Sequence, residues 1–478
     1  MEVGKWESGR ARPFHVSLLV CALLAPIVAA QADKRPISYS DARPIFDALR
    51  ADLLPPELRE ATPAARDAAW DGWVSRRDAA IRARVEIGED DSVVNFLSYG
   101  STFTRQPRIT EQELAGLVVR SGDSRSPVFV PSPVLLGRID DFVAALASPG
   151  ADERLQFARQ ILIRKGMDPA TEAGRKQLRS YLQERAAVVG SAERSSRLLD
   201  PGTDLVDKLT IFRDRGLSSD TSISIDLGIE QALDAMKAAG VLRPGTIRRV
   251  ALVGPGLDFV DKQNGYDFYP LQTIQPFALI DSLLRLELAD PSALQITAFD
   301  LSPRVLQHLE AARARARTGA AYPVVLARNT DSPWSADLIE YWQRFGNWIG
   351  EDGTRVPPPP AGAGRVEVRG VVIRPPVVLS VTPADLNIVT ERMEIPDDDR
   401  FDLIIATNIL LYYDVFEQTM ASANIARMLR PGGFFLTNNR VFELPGSPLS
   451  GVGYVDVTYM SLPGVGDAGD RVIWYEKE

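Results

Sequence analysis

The chain has 478 residues, 24% of them charged and 45% hydrophobic, with a net charge of -9 at pH 7. That length and balance predict two or three globular units and exclude a fibre or a disordered tail. The acidic total argues against a broad electrostatic footprint for nucleic acid, and none is expected as a partner.

Lys5, Arg10 and Arg12 precede the apolar stretch "VSLLVCALLAPIVAA", and Ala30-Gln31-Ala32 follows it. Charge, apolar core and small-residue site in that order are the layout of a secretory signal peptide over 1–32, with cleavage expected after Ala32. The protein would then be periplasmic or secreted. The other reading is a misassigned start or an N-terminal helix that packs internally, in a cytoplasmic protein. A core of about 15 residues is short of the roughly 20 that a span needs, so no stable membrane span is expected after cleavage. Cys21, the only cysteine, lies in this core. A mature chain without cysteine has no disulfide, thiolate catalyst or cysteine-based metal site, and no metal site is expected.

Residues 33–200 read as a mainly helical domain of unknown role. "ARDAAWDGWVSRRDAAIRARVE" places Trp70, Val74, Ile81 and Val85 at helical spacing, which predicts an amphipathic helix whose tryptophans pack a core. "SVVNFLSYGSTF" (92–103) is aromatic and β-branched around Gly100, as a strand or a buried loop would be. Helices are expected from Arg138 to Ala147 and from Asp152 to Lys165. "GSAERSSRLLDPGTD" (190–204) has the small and polar residues of a linker.

From about 205 to 478 strand and helix alternate. "SISIDLGIEQALDAMKAAG" is a helix and "RRVALVG" a buried strand; "LQTIQPFALIDSLLRLEL" is a helix and "LQITAFDLS" a strand. "PRVLQHLEAARARA", "RFDLIIATNIL", "FEQTMASANIARMLRPGG" and "FFLTNN" continue the alternation. Such a pattern predicts an α/β, Rossmann-like domain with a mostly parallel sheet, whose ligand crevice lies at the C-terminal strand ends. Gly254-Pro255-Gly256 sits at one such end. It is either a cofactor loop, with glycines that open the backbone N–H groups to a ligand, or a tight turn without one. Asp300 ends the next strand, where an acid can accept from both ribose hydroxyls of an adenosine cofactor or cap the helix beyond with Ser302. A dinucleotide would want a third glycine near position 259, where Leu257, Asp258 and Phe259 stand.

Four stretches resemble the class I S-adenosylmethionine-dependent methyltransferases. They are "VALVGPG", "ITAFDLSP", "FDLIIATNILLYYD" with "ARMLRPGGFFLTNN", and the terminal "DRVIWYEK", which is similar to that fold's antiparallel last strand. Within the family the resemblance is nearest to the CheR-type protein-glutamate methyltransferases. It implies S-adenosylmethionine as cofactor, held by Gly254, Pro255, Gly256, Asp300 and Leu301. It also implies that Asp385 and Leu386, in "DLNIVTERMEIPDDDRFDLI", bracket the adenine. Asn408 and Tyr412, with Tyr413, would meet cofactor and substrate at the reaction centre. The family's first motif carries an acid where Leu252 stands, and Asp258 is expected to take over its contact with the cofactor's amino group. Tyr266, Tyr269 and Gln272 either line a substrate pocket or pack the loop. Residues 318–374 form an insertion, expected as a lid or a partner surface.

The expected function is methyl transfer to an unidentified acceptor, a carboxylate or another oxygen or nitrogen nucleophile, with a protein as one candidate. His308, on the helix after Asp300, is expected to face solvent or pack. The alternatives are an exported, non-catalytic binding or interaction module on the same fold, and a nicotinamide oxidoreductase.

Overall fold

The computed structural model describes residues 33–120, 127–197, 212–213, 215–221, 223–260, 266–353, 356–360, 363–462 and 466–478. The expected signal segment 1–32 and residues 198–204 of the expected linker lie outside these.

Strand β1 (Lys34–Pro36), α1 (Tyr39–Ala48) and α2 (Pro56–Arg59) lead into α3 (Pro63–Tyr99), a helix of 37 residues. Thr62 caps it by accepting from the Ala65 N–H, and Pro63 opens it. Trp70, Trp73, Val74 and Ile81 are buried, and the two tryptophans stack at 5.2 Å, as core packing requires. Its last turns correct an expectation. Residues 92–99 are neither strand nor loop but the end of α3, which Gly100 closes by donating to Phe96 O. Every residue from Asp90 to Tyr99 is buried, so the one-sided apolar stripe that marks a surface helix is missing there. Next come α4 (Glu111–Gly116), the hairpin of β2 (Val118–Arg120) and β3 (Pro127–Phe129), α5 (Pro133–Ala147), α6 (Glu153–Arg164) and α7 (Glu172–Arg197).

The second half opens with α8 (Ile223–Ala238), β4 (Arg249–Val253), α9 (Gln275–Arg285), β5 (Gln295–Asp300) and α10 (Pro303–Arg317). It goes on through β6 (Tyr322–Asn329), α11 (Ala336–Arg344), β7 (Gly350–Asp352), β8 (Val366–Ile373), α12 (Pro375–Leu379), β9 (Val381–Asp385) and β10 (Glu391–Met393). The chain ends with β11 (Phe401–Ile405), α13 (Val415–Met428), β12 (Leu429–Thr437), β13 (Leu449–Leu462) and β14 (Gly466–Lys477).

Seven strands form one sheet in the order β13-β14-β12-β11-β4-β5-β9. Those from β12 to β9 run parallel, and β14 enters antiparallel between β12 and β13. This is the expected α/β, Rossmann-like sheet with its antiparallel last strand. Two details differ from the sequence reading. "LRPGG" begins β12 and is not the end of the helix, because the backbone turns extended at Leu429 and Pro431 cannot continue α13. The long strand β13 was not foreseen. The insertion folds as a three-stranded sheet, β6-β8-β7, with α11, and its Trp334, Tyr341, Trp342 and Phe345 enter the core that holds Val250 and Leu252.

The expected boundary near 190–204 does not separate two cores. Ile37, Phe46, Trp70, Trp73 and Ile81 pack with Ile404 and Phe416 of the sheet domain, and β1 pairs antiparallel with β10. Residues from Val93 to Val189 make another core, which Phe259 and Val260 join from beyond the glycine turn. α3 passes through both. Arg82 on α3 donates to Asp385 Oδ1 (2.7 Å) and Glu391 Oε2 (2.9 Å), and Arg77 donates to Glu417 (2.5 Å) and Asp414 (3.2 Å). These pairs fasten the helical region to the sheet domain.

Candidate functional site

β4 is apolar throughout and ends at Val253, where the parallel strands deliver the chain to the crevice. Gly254 (φ 72°) and Gly256 (φ 65°) then hold left-handed backbone, which L side chains avoid. A Cβ on Gly254 would stand 2.3 Å from Ile409 Cδ1, and one on Gly256 would stand 2.7 Å from Ser219 O. The second contact arises because a segment around 215–221 crosses the turn. Leu257 N donates to Ser219 O (2.7 Å), and Arg304 Nη2 reaches Ser219 Oγ (3.0 Å).

Asp300 ends β5 beside this turn. Its carboxylate accepts from the backbone N–H of Ser302 (2.7 Å), and also from those of Gly256 and Leu301. The acid therefore ties the glycine turn to Ser302, the residue that precedes α10. Burial pushes the carboxyl up to about 6, against the opposing pull of those three N–H groups and of Arg304.

Two connected hollows open here. A narrow cleft of about 60 Å³ is walled by Val85, Phe299, Leu301, Leu386, Ile388 and Ile409, with Gly254 and Asp300 at its edge. Beside it lies a cavity of about 750 Å³, which shares Gly254, Asp300, Ser218, Ser219, Ile409 and Tyr412 with the cleft. Gly256, Gln275, Thr407 and Asn408 extend its lining. Asn408 holds left-handed backbone (φ 58°); its N–H donates to Asn438 Oδ1 (2.8 Å), and Asn438 Nδ2 donates back to Asn408 Oδ1 (2.7 Å). The pair fixes Asn408 where β11 opens into the cavity. The Tyr412 ring lies 5.8 Å from that of Phe212, and its carbonyl accepts from Arg84 Nη2 (2.7 Å).

The structure thus brings together Gly254, Gly256, Asp300, Leu301, Leu386, Asn408 and Tyr412. Pro255 is buried in the turn, and Thr273 Oγ1 donates to its carbonyl at 3.5 Å. Asp385 does not join them: Arg82 and Lys34 take its two oxygens (2.7 and 2.9 Å). Nor does Asp258, which lines a separate small hollow with Tyr269, Trp334 and Trp342 and accepts from Gln272 Nε2 (2.9 Å). Tyr266, Tyr269 and Gln272 are buried and pack the loop, with Gln272 tied to Val325 through both its amide atoms. Tyr413 is buried, and burial raises its hydroxyl. His308 packs: its Nε2 shares a hydrogen bond with the Tyr322 hydroxyl (2.7 Å), which also accepts from the Thr273 N–H (2.8 Å). Burial, with Arg315 and Arg304 nearby, lowers that imidazole to about 4, so it stays neutral.

Sequence reading missed the segment 217–221 and the residues that the helical region contributes to the larger cavity, Tyr99, Arg108, Thr110 and Gln112. Among the described residues no cluster of acids and histidines could hold a metal, and no helix is long and apolar enough to cross a membrane.

No family model matches the chain, and no curated protein matches it. Among solved structures it is similar to the N-methyltransferase NodS from Bradyrhizobium japonicum WM9, at 12% identity over 52% of this chain and 92% of that one, with a TM-score of 0.23. It is similar to magnesium protoporphyrin IX methyltransferase (ChlM) from Synechocystis PCC 6803, at 11% identity over 59% and 87%, TM-score 0.22. It is also similar to the CurJ carbon methyltransferase, at 14% identity over 84% and 93%, TM-score 0.25.

Proposed function

We propose that the chain binds S-adenosylmethionine where β4 and β5 end and directs its methyl group to an acceptor in the adjoining cavity. One observation carries the reading: Asp300, at the end of β5, faces a glycine turn at the end of β4, over an apolar cleft walled by Leu301, Leu386 and Ile388. An acid there suits two ribose hydroxyls, and the aliphatic walls suit a flat base. When bound, the cofactor supplies a methyl group on a sulfonium, which passes to the acceptor as the carbon–sulfur bond breaks, leaving a neutral thioether.

The chain's part is alignment. Asp300 holds the ribose, the glycine turn leaves room for the methionine end, and Asn408 and Tyr412 orient the acceptor at the mouth of β11. No strong general base stands among them, which suits an acceptor that is already anionic or that gives its proton to water. The CheR-type resemblance belongs to the same proposal, since a carboxylate is such an acceptor. Export belongs to the proposal as well, on the order of charge, apolar core and small-residue site over 1–32.

A second reading is favoured by the segment over the turn. Leu217 and Ser219 occupy the lining of the cleft and leave about 60 Å³. A non-catalytic exported module would keep that cover shut. Calorimetric titration of the full chain with S-adenosylmethionine, its demethylated product and NAD, beside Asp300→Ala, decides between them. The expected result is binding of the first two at micromolar strength, about -8 kcal/mol, and its loss in the variant. Silence from all three ligands would sink the enzymatic reading, and binding of NAD alone would replace it with an oxidoreductase.

A further inference from the structure

The larger cavity has a second set of walls, from the helical region. Tyr99, Arg108, Thr110 and Gln112 line it together with the residues at the strand ends. Among the described residues its charged lining consists of Asp220, Asp300 and Arg108. Two of these are already engaged. Asp300 is held by the glycine turn, and Asp220 accepts from Asn95 Nδ2 (3.1 Å) and Ser92 Oγ (3.3 Å). Arg108 differs: among the described residues no carboxylate pairs with it. Its guanidinium lies 5.4 Å from the centre of the buried Tyr266 ring and donates at 3.4 Å to the Ala363 carbonyl. That contact and the single long bond to Ala363 leave the other donors of the fork open to a planar, two-oxygen acceptor.

The surroundings add to that field. Arg138, fully buried, spends its donors on the carbonyls of Leu97, Gly100, Gln106 and Pro107, and it lies close enough to Arg108 for the two charges to repel. The acid on this side, Asp267, is taken by the N–H and hydroxyl groups of Ser101 and Thr102. Among the described residues this part of the cavity therefore has a positive charge that no carboxylate pairs, while the rings of Tyr99, Phe212 and Tyr412 give it an aromatic lining. Its volume, about 750 Å³, lies in the range of small-molecule sites.

We propose that the methyl acceptor is a small molecule with a carboxylate on an aromatic or apolar body, and that Arg108 is the residue that binds the carboxylate. The inference rests on the methyltransferase reading for the word acceptor, but the recognition of a carboxylate stands on the cavity itself. Arg108 pairs with the carboxylate through two parallel N–H···O bonds, the body lies along Tyr99, Phe212 and Tyr412, and the helical region thereby sets specificity.

The test uses the full chain and three pairs of probes: phenylacetate and phenylacetamide, hydrocinnamate and hydrocinnamamide, salicylate and salicylamide. Each is titrated with and without the demethylated cofactor product. At least one acid is expected to bind about tenfold tighter than its amide, as a charge-assisted pair implies. In Arg108→Gln the ratio falls to about one while affinity for the cofactor product is unchanged, and Arg108→Lys keeps part of the preference. Acids and amides that bind alike in the parent chain, probes that all fail to bind, or a preference that survives in Arg108→Gln would each overturn the proposal. A parent chain that binds no cofactor product loses the methyltransferase reading, and the acid-to-amide ratio without cofactor still decides the role of Arg108.

Discussion

Replacing Asp300 by asparagine should weaken the proposed function and strengthen the fold in one step. In the folded chain burial raises the Asp300 carboxyl from its ordinary 3.8 to about 6. An acid whose folded pKa is raised contributes stability that is complete below the unfolded value and is lost as pH climbs through the folded one. With 1.36 kcal/mol per unit, the difference amounts to about 3 kcal/mol, of which about 2 kcal/mol falls between pH 4 and pH 7.5. Asparagine keeps an oxygen for the N–H groups of Gly256 and Ser302 but cannot ionise. The stability of Asp300→Asn relative to the parent should therefore grow by about 2 kcal/mol across that interval. Asp281, also raised to about 6 by burial, titrates in both proteins and cancels from the difference. Urea unfolding at both pH values measures it, and calorimetry on the same samples should show that the variant has lost affinity for the cofactor. A stability difference that stays flat with pH would refute the claim that this acid is held at a cost for a ligand.

Gly256→Ala and Gly254→Ala should separate. Both pay about 1–2 kcal/mol for a left-handed alanine, but only the first drives a Cβ against a backbone oxygen, Ser219 O at 2.7 Å. Unfolding and titration with the cofactor product should show the larger loss at Gly256, and equal losses would count against the segment as a fixed cover. His308→Gln should leave the pH profile of activity untouched and cost about 1 kcal/mol at pH 8 for one buried hydrogen bond. Because burial lowers His308 to about 4, the parent's imidazole favours the fold above its ordinary 6.5. About 3 kcal/mol of that is lost as pH falls to 4. This component should vanish in the variant when denaturation is followed at both ends of the range. Terminal sequencing of protein recovered from cell fractions should find Asp33 first, outside the cytoplasm; an intact Met1 in the cytoplasm would reject the signal peptide.

The sheet was legible because its central strands are short, continuous apolar runs between helices, the pattern that parallel pairing buries on both faces. The glycine turn and Asp300 were legible because strand ends mark the crevice. Their neighbours were not. Leu217 to Thr221 is a polar stretch without period, and contacts with distant residues, Arg84, Asn95, Leu257 and Arg304, give it a place. Arg108 belongs to a region whose own pattern speaks of packing alone. Asp385 and Leu386 are adjacent in sequence, yet one is drawn to Arg82 and Lys34 while the other walls the cleft. A single chain cannot display such a choice before its partners are known. Packing between residues 37–81 and the sheet domain left no sign for the same reason: the partners are distant along the chain.

The pairing of β1 with β10 also sets an order of events. Arg35 on β1 and Glu394, just past β10, are joined beside that pairing and stand 359 positions apart. A ribosome adding on the order of 5–20 residues each second leaves the first strand without its partner for roughly 20 seconds or longer. Contacts of such long range come late, since loop closure must be met before they reward the chain. Strand β1 is thus a late closure of the fold, and on the growing chain it stays unpaired until β10 has been made.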